Sequence, residues 1–67
     1  MEQIIINDNG ICIMIYDDKK IKLSGYVSEG VDVEVYFDSI KQMQKKLKKR
    51  IDDVDLLDLI EYEEATK

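Results

Sequence analysis

The sequence predicts an α+β fold: a four-stranded antiparallel β-meander followed by one long or two short helices packed on one face of the sheet. Apolar residues alternate with polar ones through the first half of the chain, and glycine, asparagine and aspartate separate the alternating segments. After position 38 the apolar spacing changes to three and four residues, which is typical of a helix. With 67 residues, we expect a single domain over residues 1–67.

Four strand-like segments precede the helical region. Residues 2–6 form the first segment, and the Asn-Asp-Asn-Gly run that follows it favours a tight hairpin turn, because these residue types tolerate positive φ. Residues 11–16 are apolar on both faces, which predicts a central strand or a partner on its outer side. Residues 21–27 contain Gly25, which indicates a bulge or a close backbone approach. Residues 31–37 alternate most regularly, and the short connections favour a meander.

The odd and even positions of these strands predict two different sheet faces. Odd positions are aliphatic or aromatic, so we expect them to form the core under the helices. Even positions mix polar and hydrophobic residues, and tyrosine and methionine are common in interface cores. We therefore expect a homodimer or a larger homo-oligomer, although exposed strands also carry tyrosine because it suits the pleated surface. The predicted oligomer face consists of Cys12, Met14, Tyr16, Tyr26 and Tyr36.

An amphipathic helical pattern follows the fourth strand. Asp38 or Ser39 can cap the helix, and Ser39 with Gln42 fits a capping box. A stripe of apolar residues would then face the sheet; it consists of Ile40, Met43, Leu47, Ile51 and Val54.

Residues 39–62 could form one helix or two. One helix would place its bases towards the positive end of the helix dipole and its acids towards the negative end, so we favour a break near Asp52 or Asp53. Either aspartate would then cap a second helix from Val54 to about Glu63. Residues 56–63 could alternatively form a C-terminal edge strand.

Composition argues against most catalytic chemistry. The chain has no histidine to act as a general base near neutral pH, and Cys12 is its only cysteine. An intrachain disulfide and a zinc site of cysteine and histidine are therefore not expected. We expect a non-enzymatic protein without a metal or a cofactor. No signal peptide or membrane-spanning segment is recognisable, which predicts a cytoplasmic protein without a membrane partner.

Charge is strongly segregated in a chain whose net charge is −5. Acidic residues crowd positions 52–64, among more hydrophobic residues than one stripe can bury. If Leu57 faces the sheet, then Leu56, Leu59 or Tyr62 faces outward. This combination suits docking into a basic groove with an apolar floor, although a solvated, frayed helix would look the same. The predicted partner-binding residues are Asp52, Asp53, Asp55, Asp58, Glu61, Glu63 and Glu64.

A basic segment immediately precedes the acidic one. Phosphate binding by this segment is possible, but a solvated helix face with lysine stems packed over the core explains the same pattern without a ligand. Neighbouring carboxylates would also compete for the lysines. The alternative nucleic-acid-binding residues are Lys41, Lys45, Lys48, Lys49 and Arg50.

In size, acidity and lack of catalytic residues, the chain resembles the small inhibitors that phages and mobile elements encode, among them anti-CRISPR proteins and DNA mimics. This resemblance is one of general character, and no single motif carries it. It implies an inhibitor, in the host cytoplasm if phage-encoded, that occludes a basic, nucleic-acid-binding surface of a host or defence protein. The alternatives are a small nucleic-acid-binding regulator that uses residues 41–50, and a structural component of an oligomeric assembly.

Overall fold

A computed structural model describes residues 2–66 and contains six secondary-structure elements. They are β1 (Gln3–Ile6), β2 (Cys12–Ile15), β3 (Ile21–Ser28), β4 (Val31–Phe37), α1 (Ile40–Leu47) and α2 (Leu56–Ala65). The strands form one antiparallel sheet in the order β1-β2-β3-β4. The predicted α+β meander is therefore confirmed, and it carries two helices.

The core lies between the odd face of the sheet and the two helices. The register stacks Leu23 between Ile13 and Val35 across three neighbouring strands. Helix α2 packs against β3 and β4, and α1 packs against β4. Complete burial of one such aliphatic side chain stabilises the fold by about 1.5–3 kcal/mol. The buried hydrophobic residues are Ile11, Ile13, Ile21, Leu23, Val33, Val35, Phe37, Met43, Val54 and Leu59.

Gly25 allows α2 to approach the sheet closely. A Cβ added at this position would lie 2.6 Å from Leu56 Cδ1 and 3.2 Å from Ile11 Cδ1. The close backbone approach, one of the two predicted roles of Gly25, is thus present. The irregularity in pairing with β4 lies further along β3, between Tyr26 and Ser28.

Ser39 caps α1 as the sequence predicts. Its Oγ accepts a hydrogen bond from the Gln42 N–H at 3.1 Å. The Gln42 side chain reaches back to the N–H of Asp38 at 2.7 Å, one residue before the position that a standard capping box uses.

The break between the helices comes earlier than predicted. Helix α1 ends at Leu47, and Lys48 adopts a left-handed backbone conformation with φ 58°. The predicted caps, Asp52 and Asp53, lie in the turn between the helices instead. Asp55 caps α2 through two reciprocal hydrogen bonds with Asp58. The Asp58 N–H donates to Asp55 Oδ1 at 2.9 Å, and the Asp55 N–H donates to Asp58 Oδ2 at 3.1 Å. This capping box selects the start of the helix.

The start of α2 determines which side chains it buries. Residues 56–63 are helical, so the alternative of an edge strand is wrong. Leu59 is fully buried, whereas Leu57 is 60% exposed. Leu56 and Tyr62 pack against the core. The expectation that Leu57 faces the sheet while one of the other three faces outward is therefore wrong, because the helix begins two residues later than expected.

Asn7 joins the first hairpin to the loop between the helices. Its side chain is buried, and its Nδ2 donates to the carbonyl oxygens of Ile51 (3.0 Å) and Val54 (2.8 Å). Its Oδ1 accepts from the N–H groups of Asn9 (3.0 Å) and Ile11 (2.9 Å). One amide group thereby connects parts of the chain that are 44 and 47 residues apart.

We expect Asn7→Ala to lower the free energy of unfolding by about 2–3 kcal/mol, because buried carbonyl and N–H groups lose their partners. Urea denaturation followed by circular dichroism measures this. Asp8→Ala is the matched control, since Asp8 is exposed in the same turn, and its effect should stay within about 0.5 kcal/mol. Equal stabilities of the two variants would contradict the structural role of Asn7.

Lys48→Gly should raise the free energy of unfolding by about 0.5–1 kcal/mol, because glycine adopts a positive φ without the Cβ clash. Lys45→Gly is the control: it lies inside α1, where glycine should lower stability by about 1 kcal/mol. Thermal and urea denaturation of both variants test the difference. A loss of stability in Lys48→Gly would show that the left-handed conformation carries no strain.

Candidate functional site

The fold divides the acidic segment into carboxylates that are partnered within the chain and carboxylates that face solvent. Asp55 and Asp58 form the cap of α2, and both lie near Lys49. Lys49 Nζ is 2.8 Å from Asp58 Oδ2 and 4.0 Å from Asp55 Oδ2. These two aspartates, predicted to contact a partner, therefore also have a structural role within the chain.

The outer side of α2 presents two of the remaining acids beside an exposed leucine. Leu57, Glu61 and Glu64 are separated by four and three residues, so they lie on one side of the helix. All three are exposed, and within residues 2–66 neither glutamate forms an ion pair. We call Leu57, Glu61 and Glu64 the α2 stripe. Asp52 and Asp53 are exposed in the preceding turn.

Glu63, also predicted to contact a partner, lies apart from the α2 stripe. It is half-buried on the side of the helix that faces the sheet. Its position follows from the start of α2, because residue 63 lies seven positions after Leu56, which packs against the core. Glu63 is therefore less accessible to a partner than Glu61 or Glu64.

Lys49 and Asp58 stabilise each other's charged form. Burial alone would raise the pKa of Asp58, but the hydrogen bonds from Lys49 and from the Asp55 N–H outweigh burial and hold the pKa below its ordinary value. The same hydrogen bond from Lys49 to Asp58 raises the pKa of Lys49. The pair therefore ties the loop after α1 to the first turn of α2 as an ion pair at neutral pH.

The predicted basic site is interrupted by this ion pair. Lys41 and Lys45 are exposed one helical turn apart on α1, and Lys48 and Arg50 are exposed in the following loop. Lys49, between them, is engaged by Asp58. A shallow depression in this region is lined by both basic residues and the acidic Asp53. Its lining residues are Gln44, Lys48, Lys49, Arg50 and Asp53.

The even face of the sheet contains an apolar patch that the strand pattern did not reveal. The register pairs Ile4 with Met14 and Ile6 with Cys12. Ile4 is 63% exposed and Ile6 is 64% exposed. We call these four residues the β1–β2 patch. The three consecutive isoleucines of β1 show no alternation, so only the register assigns Ile4 and Ile6 to this face.

The rest of the even face is more polar, and it separates the predicted tyrosines. Tyr26 lies opposite Asp32, whereas Tyr36 lies opposite Lys22. The Tyr36 hydroxyl donates to Glu34 at 3.1 Å, and this hydrogen bond raises the pKa of Tyr36. Lys22 Nζ is also 3.8 Å from Glu34. The predicted oligomer face is therefore an apolar half on β1 and β2 beside a charged half on β3 and β4.

Tyr16 and Tyr36 come together at a cleft of about 590 Å³. Phe37 and Tyr62 pack at its side, with ring centroids 5.0 Å apart. The volume is within the range of small-molecule sites, but the charged lining residues have both signs and select no class of ligand. The lining residues are Tyr16, Asp18, Lys20, Ile21, Tyr36, Phe37, Asp38, Gln42, Lys46 and Tyr62.

Within residues 2–66, no group of three or more Cys, Asp or Glu side chains is arranged to hold a metal ion. No helix in the same range is long and apolar enough to cross a membrane. Cys12 is a free, half-buried thiol.

Comparison with known proteins identifies no family. No protein-family model matches the chain, and neither a curated protein nor a solved structure gives a significant match.

The lowered pKa of Asp58 predicts a pH-dependent contribution to stability. The contribution is present above the carboxyl pKa of the unfolded chain, about 3.9, and is lost as the pH falls through the lower pKa of the folded state. Asp58→Asn should therefore be less stable than the unmodified chain at pH about 7, and the difference should shrink below pH about 4. Urea denaturation across this range measures the difference.

Glu61→Gln is the matched control, because it removes the same charge from an exposed position of the same helix. Across the same pH range, the free energy of unfolding of Glu61→Gln should stay closer to that of the unmodified chain than the value for Asp58→Asn does. A deficit in Asp58→Asn that stays constant from neutral to acid pH would contradict the ionic role of Asp58.

Proposed function

We propose that this chain is a non-enzymatic protein-protein interaction module whose α2 stripe covers a basic, nucleic-acid-binding surface of another protein. One observation carries the proposal: an exposed leucine shares one side of α2 with two glutamates that no residue in the range 2–66 neutralises. The size, the net charge of −5 and this surface suit a small inhibitor of the kind that phages and mobile elements encode.

Electrostatic attraction supplies specificity in this proposal. Exposed carboxylates on α2 and on the turn before it can occupy positions where the partner's lysines and arginines otherwise meet phosphates. Net charge of opposite sign also speeds the encounter and disfavours acidic competitors. The contributing acids are Asp52, Asp53, Glu61 and Glu64.

Leu57 supplies the largest single contribution to the affinity. With a side chain that is 60% exposed, its burial in an apolar floor of the partner's groove contributes roughly 1–2 kcal/mol. An exposed ion pair contributes only about 0–1 kcal/mol. The leucine therefore anchors the complex, and the surrounding carboxylates determine which partner it accepts.

Direct binding of nucleic acid has weaker support. Lys49, at the centre of the basic segment, is held by Asp58 at 2.8 Å. The whole chain, with its net charge of −5, is repelled by phosphate backbones at long range. Phosphate contacts by the remaining bases would have to overcome this repulsion.

A cytoplasmic site of action accompanies the proposal, in the host cytoplasm if the chain is phage-encoded. The single cysteine remains a free thiol, which suits a reducing compartment. Nucleic-acid-binding proteins with exposed basic grooves are available as partners there.

The double variant Glu61→Lys/Glu64→Lys should lose binding to the partner, because two attractive charges become repulsive ones. The measurement is affinity capture from an extract of the native host, followed by a gel-shift assay of the captured protein with its nucleic acid. The unmodified chain should release the nucleic acid, and the double variant should not. Leu57→Ser should raise the dissociation constant by roughly 5- to 30-fold.

Lys41→Glu/Lys45→Glu is the matched control, because it reverses two exposed charges on the other helix. It should retain capture of the partner. Equal capture by both charge variants would contradict the proposal. So would tight, direct binding of the chain to DNA or RNA that Lys41→Glu/Lys45→Glu removes, which would instead support a nucleic-acid-binding regulator.

A further inference from the structure

Strand β1 is an open edge of the sheet. The Asn7 N–H donates to the Ile11 carbonyl oxygen at 3.0 Å, so this pair is a hydrogen-bonded one. Because bonded and non-bonded pairs alternate along an antiparallel ladder, Ile5 directs its backbone groups towards β2. Ile4 and Ile6 then direct theirs away from the sheet. Two N–H and two C=O groups therefore face outward in the arrangement that another strand requires.

The side chains of this edge are apolar on both faces. Ile4, Ile5 and Ile6 are 63%, 42% and 64% exposed. Residues 3–6 carry no charge. Natural proteins usually protect an exposed edge strand by keeping it very short or by adding charges, prolines or bulges. Strand β1 is short, with four residues, but it contains no charge, proline or bulge.

The opposite edge of the sheet is protected. Strand β4 carries Asp32 and Glu34, and Asp38 follows its last residue. The pairing of β4 with β3 is also irregular between Tyr26 and Ser28. The two edges thus differ in kind: β4 discourages the addition of a strand, and β1 permits it.

We propose that β1 pairs antiparallel with β1 of a second copy of this chain and thereby forms a continuous eight-stranded sheet. A two-fold axis at Ile5 places Ile4 opposite the partner's Ile6 and Ile6 opposite the partner's Ile4. Both pairs exchange two backbone hydrogen bonds, so the outward N–H and C=O groups of both residues are satisfied. Ile5 meets the partner's Ile5 in the non-bonded pair between them.

The chemistry of β1 fits a second copy better than an unrelated strand. Residues 4–6 are all isoleucine, so a two-fold axis places identical β-branched side chains opposite one another, as an isologous interface requires. No charge within residues 3–6 is left unpaired at the seam. The pairing also joins the β1–β2 patches of the two subunits into one apolar surface.

The dimer is independent of the proposed inhibitor site. Helix α2 packs against β3 and β4, at the far side of the sheet from β1. Both α2 stripes therefore remain accessible in the dimer. Loss of self-association and loss of partner binding are separate outcomes, because different residues carry them.

The dimer is weak and dependent on salt. A four-residue strand buries far less than the roughly 800 Å² per partner of a standard interface. Each subunit has a net charge of −5, and the pairing brings Glu2 and Asp8 towards the partner's Asp8 and the partner's Glu2. Added salt should therefore tighten the dimer by screening this repulsion.

Disulfide trapping tests the pairing directly. In a Cys12→Ser background, Ile5→Cys should form a covalent dimer under mild oxidation, because the Cα atoms of a non-bonded pair are about 4.5 Å apart, within disulfide range. Ile4→Cys is the matched control from the same strand. It should crosslink poorly, because residue 4 lies opposite the partner's Ile6 and the two introduced cysteines are therefore not opposite each other. Efficient crosslinking of Ile4→Cys but not of Ile5→Cys would overturn the proposed pairing.

Sedimentation equilibrium from about 10 μM to about 1 mM supplies the second measurement on the unmodified chain. Ile5→Lys should weaken association at least about tenfold, whereas Val31→Lys, at an apolar position on β4 with similar exposure (51% against 42%), should leave it unchanged. Circular dichroism checks that both variants are folded. A folded chain that stays monomeric at about 1 mM in high salt, or a dimer insensitive to Ile5→Lys, would overturn the proposal.

Discussion

The buried amide of Asn7 is the interaction on which the arrangement of the C-terminal half depends. The loop after α1 turns the carbonyl oxygens of Ile51 and Val54 towards the first hairpin, where the hydrogen bond to Val54 is buried and the one to Ile51 is partly buried. The Asn7 side chain donates to both oxygens, and Asn9 Nδ2 adds a second donor to Val54 at 3.2 Å. The turn that follows β1 positions the Asn7 side chain. The first hairpin therefore fixes the loop, and the loop fixes where α2 begins.

The start of α2 in turn distributes its residues between structure and surface. Asp55 and Asp58 close the first turn and engage Lys49, so these three charges are partnered within the chain. Leu57, Glu61 and Glu64 remain exposed on the adjacent side of the helix. A segment that reads as uniformly acidic thus contains a structural side and an outward side, and a start shifted by one residue would rotate both by about 100°.

Short-range sequence patterns predicted the strands and the first helix cap, because these features depend on residues close together in the chain. The alternation in residues 21–37 identified the strands and the buried face, and Ser39 identified the cap of α1. The loop between the helices could not be predicted in the same way, because its partner, Asn7, lies 44 residues or more away in sequence. The exposure of Ile4 and Ile6 likewise follows from strand register, which a run of three isoleucines does not encode.

The hairpin turn also bears on the chemical ageing of the chain. Asn9 precedes Gly10, and an asparagine before glycine deamidates readily because the glycine nitrogen can attack the side-chain amide. Here the Gly10 N–H is bonded to the Asn7 carbonyl oxygen at 3.0 Å, and the Asn9 Nδ2 donates to Asp53 O at 3.1 Å. Opening of the turn frees both groups. A carboxylate formed at Asn9 would then face carbonyl oxygens and be repelled by them. Each deamidated molecule would therefore return to the closed turn less readily than before.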